Sequence, residues 1–346
     1  MVQIKPALGS YKEPGYITED VADRFLGQLD GAWSKPGHAV VFATGSRPSM
    51  HWEVPYTDDM LQGSSPLYFI CSLHRTTFSR TVRHTVSSHL PCTCQLVVGR
   101  VDGVVGTLCG GRGAPTELEH GQGLSGLFLP SILPDGVQVR PFTVTLAHAM
   151  TQFRKGVSDE LKSQVGLPVG DELLSLKCAL FFASGQLDDS ERCAVCNILS
   201  DLVPSRCAVG GSWLDSLVVS DDPAENVFCT GLCFLGEGVR AASAVLSPEV
   251  RGTQAVEKVL QQLKTDSGFG GWETGRTVGF MFACSERGSE FHGKANVEAG
   301  AFASVFPGVP LVGTFSGALI GSECLVDWYT DDLRRTVLVL LGLGGS

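Results

Sequence analysis

Polar and reactive side chains are concentrated in a short segment near the C-terminal end of the chain. Cys284 ends an apolar run, Arg287 and Lys294 supply positive charge, and Asn296 precedes a predicted helix whose first N–H groups lack partners within the helix. Gly288 permits close approach of a ligand to the backbone. This arrangement is suited to an anion, an acidic peptide or the carboxylate of an amino acid.

Cys284 has two interpretations of equal weight. A thiol near cations and a helix N-terminus tends toward the thiolate, which would make Cys284 a reactive cysteine and, with His292, the basis of an enzyme hypothesis that ranks below binding. The alternative is a buried thiol at the end of a strand, with His292 as an ordinary surface histidine. We therefore predict no catalytic residue.

Polar residues of the next helix and turn complete the candidate site. Asn296 and Glu298 either contact a ligand or only start a helix. The predicted ligand- or partner-binding residues are Cys284, Arg287, Gly288, His292, Lys294, Asn296, Glu298, Gly313, Ser316 and Gly317.

Motifs for several other chemistries are missing from the sequence. It has no Gly-x-Ser-x-Gly nucleophile elbow, no Gly-x-x-x-x-Gly-Lys-Ser/Thr phosphate loop and no His-Glu-x-x-His pair. The Cys193-Ala-Val-Cys196 motif has no second pair at metal-ligand spacing and lies in a predicted helix, so it indicates buried thiols. We expect no metal and no cofactor.

Composition narrows the choice of partners. The 346 residues carry a net charge of -10 and no long basic run, which argues against nucleic acid as a partner. The longest apolar stretches fall short of the ~20 residues of a membrane-spanning helix, and the first residues do not resemble a secretory signal. We expect a protein of the cytoplasm, with the nucleus as an additional location.

A strand, helix, strand pattern appears three times, each helix ending just before proline. The copies are Leu67–Cys71, 76–90 and Gln95–Gly99; Cys178–Ala183, 190–203 and Cys207–Gly211; and Val278–Cys284, 296–306 and Pro310–Gly313. Apolar strands joined by a crossover helix predict parallel neighbours covered on both faces.

Antiparallel hairpins are predicted between these units. They join Leu124–Leu129 to Val137–Val144, and Phe228–Leu235 to Val239–Leu246. The fold class is therefore α/β or α+β, with mixed sheets. The charged, glycine-containing stretch 151–174 loses the strand pattern, so we predict domains at 1–150 and 175–346 with 151–174 as the boundary.

The C-terminal part of the sequence resembles the C-terminal FIST domain. The resemblance rests on Phe282-Ala-Cys284, a glycine loop, Asn296-Val-Glu-Ala299 and Phe306-Pro-Gly-Val-Pro310. Weaker similarity reaches Gly126–Pro130 and the closing Leu338–Gly345, so it covers nearly the whole chain and implies N-terminal and C-terminal FIST domains.

The resemblance implies two functions. A FIST protein with an F-box selects substrates for a cullin ubiquitin ligase, which implies a protein partner in the ubiquitin–proteasome pathway. FIST domains of bacterial signalling proteins imply a sensor of amino-acid-like ligands instead. The only N-terminal helix candidate, Thr18–Leu29, cannot serve as an F-box, so contact with the Skp1 adaptor is not expected. Where the family has Gly-Asn-Gly-Glu-Ile-Gly, this chain has Ser316–Gly321 without the carboxylate, which weakens the sensor hypothesis.

Overall fold

The computed structural model describes residues 5–11, 36–44, 79–107, 114–119, 121–145, 148, 158–185, 206–219, 227–321 and 334–344. Its helices are α1 (79–87), α2 (Asp159–Gln164), α3 (Glu172–Ser175), α4 (Thr253–Asp266), α5 (Ser289–His292) and α6 (Val297–Val305). Single 3-10 turns cover Phe269–Gly271 and Thr274–Arg276.

The described strands form three mixed sheets. Sheet 1 has the order β1 (Lys5–Tyr11), β6 (Gln122–Pro130), β2 (Pro36–Thr44), β3 (Gln95–Arg100), β10 (Ser216–Val218). Sheet 2 has the order β15 (Leu319–Gly321), β9 (Ala208–Leu214), β8 (Leu176–Ser184), β11 (Val227–Leu235), β7 (Gln138–Thr145). Sheet 3 has the order β12 (Val239–Leu246), β16 (Thr336–Leu343), β13 (Thr277–Cys284), β14 (Leu311–Ser316), β4 (Gly103–Thr107), β5 (Pro115–Leu118). The predicted α+β class with mixed sheets is confirmed.

Each sheet contains one parallel pair, and the second and third pairs are those that the sequence copies predict. The pairs are β2 with β3, β8 with β9, and β13 with β14. In the third copy, α6 is the crossover helix. The predicted first strand of copy one, Leu67–Cys71, and the predicted helix 190–203 lie outside the described residues. The strand pairing predicted for the first copy is wrong, because β3 has β2, from much earlier in the chain, as its parallel partner and β10 on its other side.

Each parallel pair and the strands of its sheet form one unit, and each unit contributes one short strand to the sheet of another unit. β4 follows the first parallel pair but joins sheet 3, β10 follows the second but joins sheet 1, and β15 follows the third but joins sheet 2. The three short strands pair at the same position of the receiving sheet: Val104 is opposite Thr314, Leu217 is opposite Gly99, and Leu319 is opposite Ser212. No unit completes its sheet alone, which couples the three units in folding.

The two predicted hairpin pairings are wrong. β6 lies in sheet 1 and β7 in sheet 2, while β11 lies in sheet 2 and β12 in sheet 3. These short connections carry the chain from one sheet to the next, and the strands that follow find their antiparallel partners elsewhere: β7 pairs with β11, and β12 with β16. The prediction assumed that strands adjacent in sequence pair with each other, and this assumption failed at both connections between units.

One apolar core lies between the three sheets. Each unit contributes the phenylalanine of a Phe-Ala dipeptide near the end of its first parallel strand, and these side chains, Phe42, Phe182 and Phe282, are all buried. The rings of Phe42 and Phe182 lie 5.2 Å apart, and those of Phe182 and Phe282 lie 6.2 Å apart. Helices cover the outer faces, with α1 on sheet 1 and with α4 and α6 on sheet 3.

The sheets join residues from both sides of the predicted domain boundary. The strand pairs β3–β10, β7–β11 and β4–β14 each combine a strand before residue 150 with one after residue 175. Within the predicted boundary segment, Leu161, Val165 and Leu167 are buried against the outer face of sheet 2. The division at 151–174 stays a prediction, but its described part packs as core.

Candidate functional site

Arg287 is the centre of the predicted site, and its side chain is fully buried. Nε donates to Glu298 Oε1 at 2.6 Å in an ion pair. One terminal nitrogen donates to Ser247 O at 2.9 Å and Arg334 O at 2.7 Å, and the other to Val250 O at 2.8 Å. These bonds hold the buried guanidinium on protein groups. The prediction that Arg287 receives an external anion is therefore wrong.

Glu298 is shared by three donors. Besides Arg287, it accepts from Thr336 Oγ1, which lies 2.6 Å from Oε2, and its Oε1 lies 3.1 Å from His292 Nε2. The Nδ1 atom of His292 accepts the Gly252 N–H at 3.1 Å, so the imidazole proton that faces Glu298 is on Nε2. The network ties together the 247–252 loop, α5, α6 and β16. His292 has neither a surface position nor an open side for catalysis.

β5 places a carboxylate at the N-terminus of α6. The Glu117 carboxylate accepts the Ala299 N–H at 2.7 Å, while the Glu117 N–H donates to Asn296 Oδ1 at 2.7 Å. Asn296 adopts a left-handed conformation with φ 58° and makes no side-chain bond to α6. Asn296 therefore lies at the start of α6 without capping it, because a carboxylate from β5 bonds the free N–H group of Ala299, where a negative charge suits the helix dipole.

A second carboxylate of the same segment holds α5. Glu119 Oε1 accepts the Ser289 N–H at 2.8 Å, and Oε2 accepts from Ser289 Oγ at 3.0 Å. A Cβ on Gly288 would lie 2.0 Å from Glu119 Oε2, so the glycine makes room for this carboxylate. The close approach predicted at Gly288 exists, but the group that approaches belongs to the protein itself.

Burial raises the pKa of the Glu117 carboxyl to about 7, and the nearby charges of Glu298 and Glu119 add to the rise. The bond from the Ala299 N–H opposes this effect but does not cancel it. The carboxyl therefore titrates near neutral pH at a junction between two units.

Cys284 is buried at the end of β13. Its N–H donates to Arg335 O at 3.0 Å. Burial raises the pKa of the Cys284 thiol, and the opposing effect of Arg287 is weaker. Of the two interpretations of Cys284, these features favour the buried thiol at the end of a strand, because burial outweighs the effect of Arg287, whose guanidinium is turned to Glu298.

The other predicted residues lie in three different surroundings. Ser316 lies opposite Cys284 in the parallel pair and donates to Ala318 O at 3.0 Å, and exposed Gly317 follows it at the same sheet edge. Gly313 is a packing position, since a Cβ there would lie 1.9 Å from Met281 O. Lys294 is exposed in the loop between α5 and α6 and does not join the Arg287 network.

Sequence reasoning missed Glu117, Glu119 and Thr336. The two glutamates lie about 170 to 180 positions from the backbone groups that they bind. The alternation of buried and half-exposed residues in β5 signals only an edge strand. No local spacing indicates which helix such a strand reaches.

Two further features bear on function. Within the described part of the chain, no group of three or more His, Cys, Asp and Glu side chains is arranged to hold a metal ion. No helix in that part is long and apolar enough to cross a membrane.

Comparison with curated proteins gives a clear sequence relationship. The chain is 29% identical to human F-box only protein 22 over 307 residues, which covers 80% of this chain and 71% of that protein. The protein of the same name from Pongo abelii is 28% identical over the same shares. The chain is thus related to F-box only protein 22. No family model matches the sequence.

Comparison with solved structures gives weaker results. Two cyanuric acid hydrolases, one from A. caulinodans, are 12% and 11% identical and cover 99% of this chain. The alignments cover 100% and 99% of the hydrolase chains, with TM-scores of 0.39 and 0.41. At these scores the similarity carries no argument about activity.

Proposed function

We propose that the chain is a non-enzymatic recognition protein of the FIST type that binds a protein partner, in a role related to that of ubiquitin-ligase substrate receptors. The observation that carries the proposal is the similarity to F-box only protein 22 over 80% of the chain. The FIST resemblance links proteins that carry an F-box with substrate selection for a cullin ubiquitin ligase, which supports a partner-binding role for the shared region. We place this activity in the cytoplasm, with the nucleus as an additional location.

The geometry of the Arg287 network supports a structural role for this segment rather than a catalytic one. Arg287, His292 and Glu298 satisfy one another and nearby backbone groups, and the Cys284 thiol is buried with a raised pKa. A nucleophile and its base need mutual contact and access to substrate, which these residues lack. The network instead holds α5, α6 and the surface around them in one geometry.

The test is purification of the tagged full chain from its native cells, with co-purifying proteins quantified by mass spectrometry. A stoichiometric protein partner, with or without Skp1 and a cullin, is the expected result. Recovery of Skp1 and a cullin would place the chain in the ligase pathway itself. Absence of any stoichiometric protein, together with a thermal shift caused by an amino acid, would overturn the proposal in favour of a small-ligand sensor.

A further inference from the structure

The loops that connect the three units meet at one end of the molecule, beside the end of β16. The Gly238 N–H donates to Gly136 O at 2.9 Å, and the Gly344 N–H donates to Gly238 O at 2.7 Å. These glycines belong to the β6–β7 loop, the β11–β12 turn and the end of β16. We name this end the junction surface, and it comprises 131–137, 174–175, 236–240, 271–276 and 342–344.

Two large hydrophobic residues are strongly exposed on this surface. Ile132 is 79% exposed and Leu174 is 81% exposed. Ile132 lies in the loop whose Pro134 borders Gly344, since a Cβ on that glycine would lie 2.8 Å from the Pro134 Cβ. Leu174 precedes Ser175, whose carbonyl accepts the Gly236 N–H at 2.9 Å. In the described part of the chain no other large hydrophobic residue is exposed, so both such residues lie at this one end of the molecule.

A small cleft that is open to solvent lies on the same surface at the end of sheet 3, bordered by Gly238 and Gly344. Trp272, Arg240 and Arg276 line it. Arg240 uses one terminal nitrogen to donate to Gly271 O at 2.6 Å, while Arg276 pairs with Glu273 at 3.1 Å. The cleft therefore holds two guanidinium groups and one carboxylate, in a chain whose net charge is -10.

We propose that the junction surface binds a protein segment in which an acidic residue is flanked by apolar residues. This inference rests on the proposed function and names the surface that performs it. The acidic side chain pairs with Arg240, whose planar guanidinium suits a carboxylate. The flanking apolar residues contact Trp272, Ile132 and Leu174. Tryptophan and arginine are the residue types that most often dominate binding energy at protein interfaces.

The direct probe is a set of 12-residue peptides with a central Asp or Glu and all other positions randomised. A matched set has a central Lys. We expect enrichment of the acidic set, with apolar residues near the acid. The best peptide should bind Arg240→Ala about tenfold more weakly, and the Ile132→Ser, Leu174→Ser double variant at least as weakly. Lys258→Ala, exposed on α4 outside the surface, is the control and should bind within twofold of the parent.

Three results would overturn this assignment. The first is equal enrichment of both peptide sets or of neither, and the second is binding that the surface variants leave unchanged. The third is concentration-dependent dimerisation in sedimentation velocity that the double variant abolishes, because a second copy of the chain would then be the occupant. A cellular partner that the variants retain would refute this surface and leave the proposed function standing, whereas no partner for the parent chain would count against both.

Discussion

The buried pair of Arg287 and Glu298 gives the sharpest test of the structure. Glu298→Gln keeps the size of the side chain but removes the negative charge that lies 2.6 Å from Arg287 Nε. Three donors then compete for an amide with one acceptor oxygen. Because both side chains are at most 2% exposed, the guanidinium is left as an uncompensated buried charge. Breaking such a pair costs about 3–5 kcal/mol.

The assay is urea unfolding followed by circular dichroism at pH 7. Glu298→Gln should lower the free energy of unfolding by about 3–5 kcal/mol, whereas exposed Glu290→Gln on α5 should change it by less than about 0.5 kcal/mol. The double variant Arg287→Met, Glu298→Met should recover part of the loss, because an apolar replacement removes both buried charges together. A loss below about 1 kcal/mol in Glu298→Gln, as for exposed ion pairs, would refute the buried geometry.

Three more predictions follow from single contacts. Gly313→Ala should destabilise the chain in urea because its Cβ meets Met281 O, whereas Gly300→Ala, with open space in α6, should stabilise it by about 0.5–1 kcal/mol. Because the folded-state pKa of Glu117 is raised to about 7, the stability linked to that carboxyl is full below pH 4.5 and is lost as the pH rises through 7. Urea midpoints across that range should show this decline, and Glu117→Gln should remove it. In native protein at pH 8, iodoacetamide should label exposed Cys92 within minutes and leave buried Cys284 unlabelled by peptide mass spectrometry.

Each of these has a contrary result. Equal stability of the two glycine variants would contradict the close strand approach at Gly313. A parallel pH profile for Glu117→Gln would show that another group controls the decline. Labelling of Cys284 as fast as Cys92 would revive the reactive-cysteine hypothesis.

The sequence predicts the second and third parallel pairs because their signals are local. Apolar runs around Phe182 and Phe282 are long enough for strands covered on both faces, and a proline ends the intervening helix. The exchange of β4, β10 and β15 between units is not predictable in this way. A three- to five-residue strand carries no information about which distant strand it joins, so the predicted pairings followed the nearest neighbour in sequence and failed at both junctions.

The candidate site shows the same limit. Residue types place Arg287, His292 and Glu298 in one candidate binding site, and the structure brings the three together as partners of one another. Their burial was not predicted, since it depends on partners from other parts of the chain: Thr336 for Glu298, and the backbone carbonyls of the 247–250 loop and residue 334 for Arg287. These groups fill the places that a ligand would take.

Partner recognition is measured most directly with the purified components. The most abundant protein that co-purifies with the tagged chain is expressed separately, and isothermal titration calorimetry measures its binding to the full chain, with an amino-acid panel titrated in parallel. We predict a 1:1 complex with the protein, weakened about tenfold by Arg240→Ala, and no heat from the amino acids. Saturable binding of an amino acid with no binding of the protein would contradict the account.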